Sequence, residues 1–411
     1  MRTRLILIPI VLSVLISGLL GTSCQAQNFD RRLNAITSPH SFNPILWEAR
    51  VIPRDIAQQA LARFNPTLNE VELVNEYFAA IQRIRTLDAQ IQAGNASGNQ
   101  NSLAAIEAER DTLTTRKDAL KDTVERIIER QLSEALAEQD IYNSISGLSW
   151  LKINLPPVNF ELEVPPHLLV VSPRDRIESS REVVLEQELS VAEMEAIEDE
   201  VDNLGVSSLV VKLGGLGATY PSFVTDEASL RFTLDAAAEE WLHQYLFFRP
   251  LGILYTLDLT GISRNYEIAV INETVAGMAA SEIGAIIYQK YYAADETGTQ
   301  QSLPDASGFD FNREMREIRR RVDDYLALGE IEAAEEFMEE RRQFLATQGY
   351  HIRKLNQAYF AFYGAYADDP TSISPIGVEL RKLREQTGSL KEFLDTAALL
   401  TSRQDLIEIL E

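Results

Sequence analysis

An α+β fold is what this sequence predicts, with a helical hairpin, a mixed β-sheet region and a mostly α-helical C-terminal part in that order, on three observations. Between residues 67 and 140 apolar side chains recur at three- and four-residue spacing, the period of a helix with one buried face. From Ser149 onward short alternating runs are broken by proline pairs, which is the texture of strands. From Leu230 to Glu411 nearly every stretch returns to helical periodicity. Strands grouped ahead of helices argue against a doubly wound sheet. The implied units are a leader over 1–26, a helical region over 27–148, a sheet region over 149–230 and a helical domain over 231–411.

Arg2 and Arg4 precede an apolar run from Leu5 to Leu20, followed at once by Gly21, Thr22, Ser23 and Cys24. A basic start, a short apolar core and small residues form the layout of a secretory signal. The run is about 16 residues, short of the roughly 20 that span a bilayer comfortably. Leu20 to Cys24 resembles a bacterial lipoprotein processing box, with Gly21 where Leu is usual. The resemblance implies export to the outer face of the cytoplasmic membrane with a lipid anchor at Cys24, and membrane contact through the N-terminus. Cleavage after Ala26 and an uncleaved anchor are the alternatives.

After a proline-containing lead-in (Pro39, Pro44, Pro53), a helix is expected from Thr67, with Val71, Val74, Phe78, Ile81, Ile84, Leu87 and Ile91 on its apolar side. Residues 94–99, Gly-Asn-Ala-Ser-Gly-Asn, end it. A second helix is expected from Ser102 to Asp140, with Ile106, Leu113, Leu120 and Ile127 spaced by seven. The pair reads as an antiparallel coiled-coil-like hairpin whose alternate core position is interrupted by Arg110 and Lys117. Such a hairpin is expected to be an arm or spacer, able to meet a protein partner and separable from any chemistry.

Strands are expected at Leu151–Leu155, Phe160–Val164, Leu168–Val171 and Ser208–Leu213, with a helix from Val191 to Asn203 between them. In the C-terminal part loops are expected at Gly252–Tyr266, Asp295–Phe309 and Asp368–Pro375. No internal repeat interrupts this order.

Acidic residues outnumber basic ones by 62 to 38, a formal charge of −24. A phosphate backbone would be repelled over most of such a surface, so nucleic acid is excluded as a partner class. Cys24 is the only cysteine, which removes disulfides and thiolate metal sites. With about 385 residues beyond the leader, the chain is long enough to be held by an apolar core instead.

Chemistry concentrates in Ala236–Leu246, an apolar helical stretch carrying Glu239, Glu240 and His243. Glu239 and His243 stand at i and i+4 and share a face. Thirty residues after His243, Glu273 lies in a second apolar helical stretch, within Asn272-Glu273-Thr274-Val275-Ala276. Carboxylates set among apolar residues need a partner, and a divalent ion satisfies several at once. Ahead of the first helix runs the glycine-rich segment Gly214-Gly215-Leu216-Gly217. It is not a nucleotide loop, because Tyr220-Pro221-Ser222-Phe223 does not open a helix. Near the end, Asn356, Tyr359 and Tyr363 share a helical face. His40, His167 and His351 read as loop or surface residues.

Together these segments resemble the gluzincin zinc metallopeptidases, the class of thermolysin and aminopeptidase N. Glu239-Glu240-Trp241-Leu242-His243 is similar to the H-E-x-x-H zinc helix with Glu in place of the first His, and Asn272-Glu273-x-x-Ala276 to the motif of the third ligand. The resemblance implies one Zn²⁺ held by Glu239, His243 and Glu273, with Glu240 as general base. It implies an edge strand at Gly214, Gly215 and Gly217 that pairs with a peptide or protein substrate. It also implies a tyrosine, Tyr363 or Tyr359, that donates to the oxyanion. Two carboxylates and one neutral imidazole cancel the charge of the ion and weaken it as a Lewis acid. Two functions therefore stand open: peptide hydrolysis, or an exported binding or structural module on a scaffold that has lost catalysis.

Overall fold

The computed structural model describes residues 24–62, 69–97, 103–142, 156–293, 309–366 and 374–411, with residues 154 and 372. The leader up to residue 23, most of the strand expected at 151–155, and the expected loops over 295–308 and 368–371 fall outside the described residues.

The proline-containing lead-in is helical: α1 covers Cys24–Thr37 and α2 covers Pro44–Ala62 with Pro53 inside it. The hairpin follows as α3 (Glu70–Ser97) and α4 (Leu103–Glu138). Its outer half behaves as the heptad spacing implies, with a narrow seam and ion pairs such as Arg83–Glu109 at 2.7 Å and Arg116–Glu76 at 2.6 Å. Nearer its C-terminus α4 buries Leu120, Val124, Ile127, Ile128, Leu132, Ala135 and Leu136. That set follows the 3.6-residue period, because this half packs on two sides and needs a wider apolar stripe than a two-helix seam. These residues belong to the same core as Trp241, Val275 and Phe393 of the C-terminal helices. Lys117, one of the two residues that interrupt the seam, forms a 2.7 Å ion pair with Asp226, just ahead of the C-terminal helices. The base of the hairpin is thus built into the main core and is not a free arm.

Next come β1 (Phe160–Leu162), β2 (His167–Pro173), β3 (Arg181–Leu185), α5 (Val191–Asp202), β4 (Val206–Lys212), β5 (Gly215–Leu216) and β6 (Ser222–Val224). One sheet has the order β3-β2-β4, with both pairings antiparallel. In β2, Leu168 and Val170 face one apolar cluster and Leu169 and Val171 another, so burial on both sides explains the unbroken apolar run. His167, expected in a loop, is a buried residue of this strand whose ring meets the Glu186 carbonyl at 3.0 Å. The second sheet has the order β1-β6-β5, with β1 parallel and β5 antiparallel to β6.

The outer edge of β1 is closed by a helix. The Phe160 and Leu162 amides donate to the Glu129 and Glu125 carboxylates of α4, at 3.0 and 2.7 Å. An unpaired strand edge is a liability, and here side-chain acceptors remove it. Glu125 and Glu161 are both buried beside a single cation, Lys121, whose Nζ lies 3.8 and 3.2 Å from them. Burial, and then Glu161, push the Glu125 carboxyl up to about 8, while Lys121 and the Leu162 amide pull the other way. The folded state therefore binds a proton that the unfolded chain releases near 4.5, so this contribution is full below about pH 4.5 and is lost as pH rises toward 8. Glu125→Gln, which keeps an acceptor for Leu162, is expected to remove that slope. Urea midpoints at pH 5 and pH 8 should differ less in the variant than in the parent, by the equivalent of a few kcal/mol.

The C-terminal part comprises α6 (Leu230–Leu246), α7 (Pro250–Leu259), α8 (Tyr266–Tyr291), α9 (Phe311–Ala327), α10 (Ile331–Thr347), α11 (Gln357–Tyr363), α12 (Ile376–Gln386), α13 (Leu390–Ala397) and α14 (Arg403–Leu410). Helix α7 replaces the loop expected from Gly252. Pro250 opens it, and Gly252 lets it lie against the end of α6, where a Cβ would overlap the Leu246 carbonyl. Helix α8 is long and apolar enough to cross a membrane, but it is a mostly buried core helix. Helices α6, α8 and α12–α14 form the main core with α4, whereas α9–α11 cover one face of the β3-β2-β4 sheet and α1 and α5 the other.

Candidate metal centre

Helix α6 starts at Ser229, whose side chain accepts from the Phe232 amide. It is buried on most sides: Ala236, Ala237, Ala238, Trp241, Leu242 and Tyr245 are all in the core. Trp241 is fixed by a 3.0 Å hydrogen bond from Nε1 to the Pro156 carbonyl. The half-buried Glu239, Glu240 and His243 are left along one side. Helix α8 runs against α6 and is brought close by glycines. A Cβ on Gly284 would overlap Asp235 of α6, and one on Gly277 would touch Glu239 Oε1 at 3.6 Å.

Glu273 of α8 thereby meets the α6 pair. One ligand atom from each of Glu239, His243 and Glu273 lies within 4.8 Å of the other two, and His243 Nε2 stands 3.7 Å from Glu273 Oε2. His243 Nδ1 lies 3.0 Å from Asn272 Oδ1, an acceptor, which leaves Nε2 on the side of Glu273. Tyr255 of α7 donates to Glu273 Oε1 and stacks on the His243 ring at a centroid distance of 5.8 Å. Tyr366, three residues beyond α11, hydrogen-bonds Glu239.

Electrostatically the cluster lacks positive charge. Burial pushes the Glu239 carboxyl up to about 7, with His243 opposing. Glu240 is held well above the usual carboxylate range by burial, then by Glu239 and Glu273, against a hydrogen bond from the Gly217 amide. Burial likewise raises the Tyr255 and Tyr366 phenols. Glu239 Oε1 is buried with no hydrogen-bond partner among the described residues. A buried carboxylate with one orphaned oxygen, grouped with a second carboxylate and an imidazole, is what a divalent cation would satisfy, and the donor set suits Zn²⁺.

The glycine-rich segment lies against this group. Gly215 belongs to β5, the edge strand of its sheet, and Gly217 follows it. A Cβ on Gly215 would overlap Glu240 Oε1, one on Gly217 would lie 2.8 Å from the Glu240 carbonyl oxygen, and one on Gly214 would lie 2.7 Å from the Phe232 ring. The glycines are needed at least for the close approach of strand to helix. Gly217→Ala pushes on backbone and is expected to lower any turnover about tenfold or more while leaving metal content unchanged. Loss of metal in that variant would place the strand in the ligand shell instead.

Tyr359 and Tyr363 pack on each other with ring centroids 4.5 Å apart, and Tyr363 stands near Arg353, which is paired with Glu198. Helix α11 begins only at Gln357, with Asn356 as its cap accepting from the Tyr359 amide, so the helical face read over 350–363 is broken at its start. Tyr255 lies on α7, in the stretch where the sequence predicts a loop. Tyr366 lies seven residues past Tyr359, a helical spacing, but beyond the end of the helix. Glu182 of β3, raised by burial and close enough to Glu273 to repel it, carried no sequence signal. No family model, curated protein or solved structure matches this chain.

Proposed function

We propose that this protein is an exported metal-dependent peptide hydrolase whose ion is held by Glu239, His243 and Glu273. The convergence of these three ligand atoms within 4.8 Å, from two helices thirty residues apart, carries the proposal. When bound there, Zn²⁺ supplies Lewis acidity to a water and to the scissile carbonyl. Glu240, next along α6, takes the proton of the attacking water. Asn272 holds the His243 ring in its ligating tautomer, and Tyr255 orients Glu273. Tyr366 supplies the phenol that donates to the developing oxyanion. The substrate backbone lies along β5, whose Gly215 and the following Gly217 bring the strand close to Glu240.

Elemental analysis of the purified chain together with peptide turnover tests this reading. Stoichiometric zinc with hydrolysis supports it, zinc without hydrolysis leaves a binding or structural module on the same scaffold, and a chain that takes up no metal at saturating zinc refutes it. For location, the sequence from Arg2 to Cys24 motivates a lipid anchor at the outer face of the cytoplasmic membrane. Cys24→Ala is expected to move the protein from the membrane to the soluble exported fraction, and unchanged fractionation would favour an uncleaved apolar anchor.

A further inference from the structure

Helix α7 is an apolar helix of 10 residues, too short to cross a bilayer, and the protein covers only part of it. Leu251, Gly252 and Asp258 are buried, and Tyr255 reaches Glu273 and His243. The remaining side, continued by residues just before and after the helix, presents Phe248, Ile253, Leu259 and Ile262 to solvent. Leu399 adjoins them, because the Leu251 amide donates to the neighbouring Ala398 carbonyl at 3.1 Å. These five large apolar side chains are each between 39% and 63% exposed. Grouped apolar exposure of this kind marks a contact surface.

Charge around this face runs against the rest of the chain. Residues 241–266 hold a single carboxylate, Asp258, in a sequence with 62 acidic residues among 411. Asp258 is itself buried, with the Asn265 amide donating to it. Arg249 and Arg264 stand before and after the helix. Arg249 lies over the Tyr245 ring, 5.5 Å from its centroid, and forms no ion pair among the described residues.

The N-terminal segment joins the chain in the same region. Asp30 of α1 pairs with Arg181 of β3 at 2.9 Å, and Glu182, the next residue, feels the charges of Arg264 and Asp258 at the C-terminal end of α7. Cys24 lies six residues before Asp30, about 9 Å along α1. The apolar run that ends at Leu20 is thus attached close to that end of α7.

We infer that the exposed face of α7 and its flanks rests on a lipid bilayer surface. Phe248, Ile253, Leu259 and Ile262 enter the boundary between headgroups and acyl chains, and Arg249 and Arg264 face the lipid phosphates. A face free of exposed carboxylates escapes the repulsion that anionic lipid exerts on the rest of this acidic chain. The contact is weak alone and adds to the N-terminal anchor, because stable membrane association takes two signals. It also sets Tyr255, and with it the metal centre, beside the lipid, so that the substrate is a polypeptide held at the membrane. That consequence rests on the hydrolase reading, whereas the contact itself does not.

Photolabelling tests the inference, with the full chain on vesicles of phosphatidylethanolamine and phosphatidylglycerol that carry a lipid with a diazirine in its acyl chain. Peptide mapping is expected to find adducts over residues 247–262 about ten times as often as on the peptide carrying Leu328, an apolar residue 74% exposed. Phe248→Ser combined with Ile253→Ser, both at exposed positions, should cut those adducts at least tenfold while adducts in the N-terminal segment persist. Adducts absent from 247–262, or equally frequent at Leu328, overturn the inference. So does a stable dimer that hides 247–262 from the lipid, which would make a second copy of the chain the partner. Adducts over 247–262 with none in the N-terminal segment uphold the contact and remove the anchor, so the two readings fail separately.

Discussion

Replacing Glu240 by Gln is expected to reduce peptide turnover about 10³-fold while leaving zinc content at the parent level. The carboxylate sits on α6 beside the three ligands but outside the group whose atoms converge, and its partner is the Gly217 amide. His243→Ala and Glu273→Ala remove a ligand each and are expected to abolish both zinc binding and turnover. The contrast separates a base from a ligand. If Glu240→Gln loses its metal with the other two, Glu240 coordinates the ion and the assignment of roles is wrong. Glu239→His tests the same centre from the other side: it raises the site charge by one unit and should keep zinc and sustain hydrolysis at least as well at neutral pH. Zinc gained without turnover in that variant would identify a scaffold without catalysis.

Leu132→Ala, in the hairpin and remote in sequence from every site residue, is expected to destabilise the whole protein by about 3 kcal/mol or more. Leu132 is fully buried in the core that also contains Trp241 and Val275 of the helices that carry Glu239, His243 and Glu273. Leu113→Ala, on the half-buried outer part of the same helix, should cost clearly less. Urea denaturation followed by tryptophan fluorescence reads both in a background where Trp47 and Trp150 are replaced by Phe, so that Trp241 alone reports on the C-terminal core. A loss confined to the hairpin's own helicity, with the Trp241 transition unmoved, would restore the view of the hairpin as a separable arm.

The α+β class and the grouping of strands ahead of helices were legible in the sequence because both follow from local periodicity, which two-sided burial in β2 and one-sided burial in α3 write directly into the residue order. The helix carrying Glu239, Glu240 and His243 and the one carrying Glu273 were legible for a similar reason: a carboxylate inside an apolar helical run is costly unless something compensates it. Helix α7 was not legible, since a proline and a glycine that usually break helices here sit at its first turn (Pro250) and at a close helix contact (Gly252), and α2 likewise carries Pro44 at its start and Pro53 inside it.

What the sequence by itself determined is therefore which residues stand on which face of which local element, including the i and i+4 pair of α6. Only the tertiary structure decided which elements meet. It set Gly277 and Gly284 between α6 and α8 so that Glu273 reaches His243, and placed Tyr255 on Glu273 and Tyr366 on Glu239. It also joined the base of the hairpin to the core. The physical reason is that periodicity reports the burial of a face, while the partner that covers it is chosen by packing among all the faces the chain exposes.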